Sequence, residues 1–102
     1  MTTEQKIQYI ADHYGYETQS RQLVEELSEL IQAVCKHNRA HEDRPISVSC
    51  DCPERDSISE EIADVCIMIW QLCYLLGISN ERIDQISEKK LDRQIERINH
   101  GR

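Results

Sequence analysis

The sequence has no phenylalanine, one tryptophan and four tyrosines among its 102 residues, so aromatic side chains cannot supply most of a core. Aliphatic residues must take that role. Proline and glycine are also scarce, at two and three residues. Both prolines lie in the segment 38–55. The rest of the chain therefore has few residues that interrupt helices.

Features that the sequence lacks also argue against several classes of protein. No apolar run is long enough for a transmembrane helix, and the start, MTTEQK, is too polar for a signal peptide. A net charge of −7 argues against a nucleic-acid polymer bound through broad phosphate neutralisation. Five cysteines, an odd number, favour reduced thiols. We expect a cytoplasmic protein without a membrane or nucleic-acid partner.

The stretch from Ser59 to Leu76, SEEIADVCIMIWQLCYLL, predicts a central helix that stops at Gly77, as a helix with a glycine C-cap does. At about 100° per residue, two apolar stripes follow its length. One stripe contains Ile62, Val65, Cys66, Ile69, Cys73 and Leu76. The other contains Met68, Leu72 and Leu75, and continues back through Asp64 and Glu61. A helix apolar on two sides in so short a chain needs a partner chain, so we expect a homo-oligomer.

Three more helices are predicted around this one. Thr3 would cap a first short helix that ends at Gly15, and a second helix runs from Gln19 to about His37. The segment 38–55 lacks helical periodicity, so we predict a long loop there.

The predicted central helix has Ser57 or Ser59 as its cap. The last helix begins at Ser79 or Asn80 and runs to about Asn99. Residues 1–102 then form a single all-α domain of four helices, in which the middle two make the core hairpin.

Two acidic pairs carry the chemistry: Glu26-x-x-Glu29 on the second helix and Glu61-x-x-Asp64 on the third. Each spacing puts both carboxylates on one side of a helix, one turn apart. Glu61 and Asp64 also share a face of the helix with apolar residues. Acids on a solvated surface would not be expected on such a face. Four facing carboxylates repel unless hard cations separate them, and oxygen ligands suit Mg²⁺ or Mn²⁺. The alternative is that the acids only favour helix N-termini or a solvated face.

Two weaker patterns stay open. Lys90, Arg93 and Arg97 lie at the edge of the last helix's apolar face, where they would contact phosphate oxygens or merely pair with nearby glutamates. A zinc site is the second pattern, because His and Cys are zinc ligands. Its ligands would be His37, His41, Cys50 and Cys52. The C-x-C spacing is not the usual one for zinc.

The segments LVEELSELIQA and SEEIADVCIMIWQL resemble the MazG-like, all-α nucleoside triphosphate pyrophosphohydrolases. The family signature is E-E-x-x-E on one helix and E-x-x-D on the next. It reads here as Glu25-Glu26-Leu-Ser-Glu29 and Glu61-Ile-Ala-Asp64. KKLDRQIER, residues 89–97, also looks like the basic last helix of small members. The segment 38–55 makes the spacing between the two motifs longer than the family leads us to expect.

The resemblance implies Mg²⁺-dependent hydrolysis, with Mn²⁺ as a substitute, of a (deoxy)nucleoside triphosphate to the monophosphate and pyrophosphate in nucleotide-pool housecleaning. It implies a four-helix MazG-like bundle whose core is completed in a homodimer or homotetramer. The implied metal ligands are Glu26, Glu29, Glu61 and Asp64. Glu25 or Glu29 would take the proton of the attacking water. The implied phosphate contacts are Lys90, Arg93 and Arg97.

Two other interpretations compete with this enzyme. The chain can be a non-catalytic helical oligomerisation or interaction module, in which the acids are structural. It can also be a degenerate family member that binds nucleotides without turnover. Stabilisation by divalent metal separates the first alternative from the enzyme, because only a metal-binding protein gains thermal stability with Mg²⁺ or Mn²⁺.

Overall fold

The computed structural model describes residues 1–40 and 53–101. It contains three helices, which are α1 (Thr3–Ala40), α2 (Pro53–Leu76) and α3 (Asn80–Asn99). No strand occurs in the described part of the chain. The predicted all-α class is therefore confirmed.

Helix α1 is interrupted where the sequence predicts the end of a first helix. Gly15 has φ 82° and ψ 170°, which are not helical values, and glycine adopts a positive φ without steric cost. The cap is Thr2 and not the predicted Thr3. The Gln5 N–H donates to Thr2 Oγ1 (3.1 Å) and the Thr2 N–H donates to Gln5 Oε1 (2.8 Å). This reciprocal pair is a capping box.

The prediction of a loop over 38–55 is wrong at both ends of that segment. Helix α1 continues to Ala40 and α2 already begins at Pro53, so both ends of that segment are helical. Residues 41–52 lie outside the described residues. Proline fits the first position of a helix because its missing N–H would have no helical partner there.

Ser57 and Ser59, the predicted caps of the central helix, lie inside α2 instead. The Ser59 hydroxyl donates to the Arg55 carbonyl oxygen at 3.0 Å, one turn back on the same helix. A serine followed by acids favours a helix start, but the same side chain can bond to the preceding turn. The sequence pattern therefore located the helix and misplaced its beginning.

The end of α2 follows the sequence prediction. Gly77 has φ 69°. Its N–H donates to the Tyr74 carbonyl at 3.2 Å, and the Ile78 N–H donates to the Cys73 carbonyl at 2.9 Å. These two bonds form a Schellman motif, which satisfies carbonyls that the helix end leaves free.

Helices α1 and α2 pack against each other and run antiparallel, since Gln19 meets Gln71 and Asp12 meets Tyr74. The predicted hairpin of the middle helices is thus present. Its interior is small. The buried apolar side chains of the described residues are Ile7, Ala11, Val65 and Met68. Gln19 and Gln71 are buried beside them, and Gln19 Nε2 donates to Gln71 Oε1 at 2.7 Å.

Helix α3 begins as predicted, with the Ser79 hydroxyl accepting from the Arg82 N–H at 3.1 Å. It turns through 116° from α2 and packs along neither α1 nor α2, and none of its residues is buried. The Cα radius of gyration is 17.2 Å, against about 13 Å for a compact domain of this length. Within one chain, α3 does not complete a four-helix bundle.

No single helix in the described ranges is both long and apolar enough to span a bilayer. Helices α2 and α3 satisfy that length and composition test only when they are taken together across their bend.

Candidate functional site

Three of the predicted acids meet where α1 and α2 pack together. Glu26 and Glu29 lie one turn apart on α1, and Glu61 faces them from α2. One carboxylate oxygen from each lies within 4.8 Å of the other two. Glu26 and Glu61 are half-buried and Glu29 is exposed. We call these three residues the acid cluster.

The hydrogen bonds of the acid cluster leave two oxygens without partners. Gln22 Nε2 donates to Glu26 Oε1 at 2.9 Å. Glu26 Oε2 and Glu61 Oε2 are inaccessible to solvent and accept no hydrogen bond from the described residues. A buried carboxylate oxygen without a donor or cation is costly. A positively charged group that contacted these two oxygens would therefore stabilise the site.

The electrostatics of the acid cluster point the same way. The neighbouring charge of Glu26 raises the pKa of the Glu29 carboxyl above its ordinary value. A hydrogen bond to Glu26 and the charge of Glu61 raise this pKa further, and desolvation adds to it. Three carboxylates at this separation repel one another, so proton uptake or a bound cation relieves the repulsion.

The donor set fits a hard divalent cation. Magnesium takes oxygen ligands at about 2.0–2.1 Å, so ligands on opposite sides of the ion are about 4.2 Å apart. The cluster oxygens lie within 4.8 Å of one another, which is close to that spacing. Carboxylates without nitrogen or sulfur donors favour Mg²⁺ or Mn²⁺ over zinc.

Two of the predicted acids are not part of this cluster. Asp64 lies one turn after Glu61 on α2, but its side chain is exposed and is not among the three residues whose oxygens converge. Glu25 is exposed on α1, next to Glu26, and is also outside the cluster.

The predicted phosphate contacts lie on a separate part of the chain. Lys90, Arg93 and Arg97 are exposed on α3, which does not pack on the helices that carry the acid cluster. Within the described ranges no ion pair joins these bases to the cluster. Arg93 and Arg97 line an open cavity of about 450 Å³ with Glu96 and His100. A single chain therefore presents its acids and its bases separately.

The zinc pattern is not tested by the structure. His37 lies half-buried in α1, whereas His41, Cys50 and Cys52 fall outside the described residues. The pattern stays a prediction from sequence.

Sequence reasoning missed Gln22, which donates a hydrogen bond to Glu26. It also missed the buried pair Gln19 and Gln71, which joins α1 to α2. Gln22 precedes Glu26 by one turn, and an i,i+4 pair of this kind is a readable signal for a side-chain hydrogen bond. Gln71 was also readable, because it interrupts the apolar stripe that contains Met68, Leu72 and Leu75. A polar residue in a buried stripe calls for a buried partner, and Gln19 supplies it.

Comparison of the chain with protein-family models, with curated protein sequences and with solved structures finds no match. The MazG-like resemblance therefore remains a prediction based on the motif residues.

Proposed function

We propose that the protein is a Mg²⁺-dependent nucleoside triphosphate pyrophosphohydrolase that acts on the cytoplasmic nucleotide pool. The observation that supports this proposal is the convergence of Glu26, Glu29 and Glu61 from two helices, with two buried oxygens that lack partners. These are three of the four acids that the MazG-like motif assigns to the metal. The substrate is a (deoxy)nucleoside triphosphate, and the products are the monophosphate and pyrophosphate.

Each acid has a role in this proposal. Glu26 and Glu61, each of which has a buried oxygen without a partner, would hold Mg²⁺, or Mn²⁺ as its substitute. The bound ion supplies charge neutralisation for the phosphates and lowers the pKa of the attacking water. Asp64, one turn beyond Glu61, is the fourth ligand. Glu29 helps to hold the ion, and it or Glu25 accepts the proton of the water.

The proposal also includes a homodimer or homotetramer. Lys90, Arg93 and Arg97 contact phosphate oxygens in the proposed enzyme. Because α3 packs on neither α1 nor α2 of its own chain, these bases serve the acid cluster of a neighbouring chain. Oligomerisation then completes the four-helix core and the site together.

Pyrophosphate release from a panel of canonical and modified NTPs and dNTPs, with Mg²⁺ and with EDTA, tests the reaction. We expect release from one or a few members of the panel, and only with metal. Glu61→Gln should lower the rate by at least about 100-fold, because it removes the charge of a proposed ligand. Glu60→Gln is the matched control, since Glu60 is exposed, adjacent and outside the cluster, and it should keep the wild-type rate.

A helical interaction module is the second candidate, and the exposed apolar surface favours it. Ile31, Ile69 and Leu91 are 62%, 45% and 51% exposed in the single chain. In a simple module, Mg²⁺ would not change the melting temperature, whereas an ion bound by the folded state raises it. No pyrophosphate release together with no Mg²⁺ stabilisation, from folded protein, would replace the enzyme proposal by this module. Stabilisation without turnover would identify a nucleotide-binding, inactive relative.

A further inference from the structure

One side of α2 carries only uncharged side chains from Ser59 to Leu76, with Arg55 on the same line one turn earlier. Near Cys73 this side adjoins Ile7 and Gln8 of α1. Its side chains recur at alternating steps of three and four residues: Ser59, Ile62, Cys66, Ile69, Cys73 and Leu76. We call these six residues the α2 seam. All are exposed except Cys73, which is half-buried. The seam is about 25 Å long at 1.5 Å per residue.

This spacing is that of a heptad, in which every seam residue faces a partner helix. The three residues at the first heptad position are small, and the three at the fourth are the larger aliphatic Ile62, Ile69 and Leu76. Small and large side chains therefore alternate along the seam. Such a surface packs well only when each small side chain meets a large one.

We propose that the α2 seam pairs with the α2 seam of a second copy of the chain, with the two helices antiparallel. A two-fold axis midway between positions 66 and 69 puts Ser59 opposite Leu76 of the partner subunit. The same axis puts Ile62 opposite Cys73 of the partner subunit, and Cys66 opposite Ile69 of the partner subunit. Every layer then joins one small and one large side chain, and the interface is self-complementary, as two-fold symmetry requires.

A parallel pairing lacks this complementarity. It would place Cys66 on Cys66 of the partner subunit and Ile69 on Ile69 of the partner subunit, so layers of small side chains would alternate with crowded ones. The flanking positions agree with the antiparallel arrangement, in which Trp70 lies beside Ala63 of the partner subunit. Trp70 is 39% exposed in the single chain, and no charged residue occupies either flank.

A cavity provides room for the incoming side chain. It measures about 240 Å³ and lies between the seam and the start of α3, with Cys66, Ile69, Trp70, Cys73 and Ile83 in its lining. In the antiparallel pair this is the region that Ile62 of the partner subunit enters.

The chain exposes more surface than a compact monomer of its mass does. Its accessible area is 8251 Å², whereas a compact monomer of 12.0 kDa exposes about 6,000 Å². The excess, on the order of 2,000 Å², exceeds the roughly 800 Å² that each partner contributes to a standard interface. Helix α3, which buries no residue, contributes to this excess together with the seam. A second copy is the occupant that matches the seam, because the alternation of small and large side chains makes the seam complementary to itself.

This inference rests on the oligomer in the proposed function and is independent of its chemistry. The first test compares two substitutions on one helix. Ile69 is in the seam and Ile67 is on another side of α2, and they are equally exposed at 45% and 44%. Ile69→Asp should at least halve the mass measured by light scattering, while Ile67→Asp should keep the wild-type mass.

The second test measures the orientation. In the antiparallel pair, Ile62→Cys forms a disulfide with Cys73 of the partner subunit on mild oxidation. Residues 62 and 73 of one chain are about 16 Å apart along the helix, too far for a bond within the chain. Adding Cys73→Ser should abolish the cross-linked dimer, and peptide mass spectrometry identifies the pair.

The outcomes are decisive in both directions. A monomeric wild-type protein would overturn both the inference and the proposed oligomer. An oligomer whose mass Ile69→Asp leaves unchanged, while circular dichroism shows it folded, would overturn the inference alone. If that variant is unfolded, the disulfide decides: a 62–73 cross-link between chains supports the antiparallel pair. A Cys73–Cys73 cross-link in its place overturns it. Pyrophosphatase activity is measured separately and enters none of these outcomes.

Discussion

Helix α2 is apolar on two sides and α3 on one, yet only α2 packs against another helix of the chain. Helix α2 buries Val65 and Met68 against α1, whereas α3 buries no residue. The apolar residues of α3, such as Leu91 and Ile95, are 51% and 55% exposed. An amphipathic pattern thus shows which side of a helix needs cover, but not which element covers it.

The charges of α3 sharpen this contrast. Four acids recur at every fourth residue: Asp84, Glu88, Asp92 and Glu96. Three bases do the same: Lys89, Arg93 and Arg97. Like charges at i,i+4 destabilise a solvated helix, where opposite charges would support it. Opposite charges three residues apart, Lys89 with Asp92 and Arg93 with Glu96, offset part of this repulsion.

The largest expected difference is in the free energy of unfolding, between a substitution in the core of α2 and one in α3. Met68→Ala removes a side chain that is 7% exposed, and we expect it to lower the free energy of unfolding by about 3 kcal/mol. Leu91→Ala, in α3, should cost less than about 1 kcal/mol, because half of that side chain is already in water. Urea denaturation of both variants at low protein concentration measures the difference.

Equal losses of unfolding free energy from the two substitutions would contradict the difference in packing between α2 and α3. They would show that Leu91 is covered by another chain under the conditions of the measurement. Repeating the titration at higher protein concentration then tells whether that cover is an oligomer, since an oligomer's apparent stability rises with concentration.

Breaking the buried glutamine pair should lower the stability by a smaller amount. The described residues of α3 contain no such pair. Gln71→Leu leaves the amide of Gln19 buried without its 2.7 Å partner, at a cost of about 1–3 kcal/mol. In Gln19→Leu/Gln71→Leu both polar groups are gone, and we expect most of that loss to be recovered. Thermal unfolding of the single and double variants tests this coupling. Additive losses would mean that the pair contributes nothing as a pair.

The local features that the sequence predicted correctly depend on a few neighbouring residues. Gly15 interrupts α1 and Gly77 ends α2, because only glycine adopts a positive φ without steric cost. Ser79 caps α3 because its short hydroxyl side chain accepts a hydrogen bond from the N–H of Arg82. Each of these can be inferred within one helical turn.

What the sequence did not predict depends on contacts between distant residues. The i,i+3 spacing put Glu26 beside Glu29, and the motif added Glu61, but only the packing of α1 on α2 decides which carboxylates converge. Asp64 has the same motif status as Glu61 and stays exposed. The position of Lys90 relative to these acids depends on where α3 packs, and no local pattern encodes that position.

The smallest effect concerns Glu29, at the contact between α1 and α2. Its pKa is raised in the folded chain, chiefly by the charge of Glu26 and then by Glu61. The folded state therefore holds this proton more tightly than the unfolded state, for which the ordinary pKa is 4.5. Stability from this group is present below pH 4.5 and is lost as the pH rises through the folded pKa.

Glu29→Gln removes this dependence without a change of size. In EDTA, the variant should melt at a higher temperature than the wild type at neutral pH, and the difference should vanish toward pH 4. The effect is small because Glu29 is solvent-exposed and its interactions are screened. With Mg²⁺ the order should reverse at neutral pH, since a bound cation favours the ionised carboxylate that the variant lacks. Melting curves that coincide for both proteins at every pH would mean that Glu29 does not interact with Glu26 and Glu61 in solution.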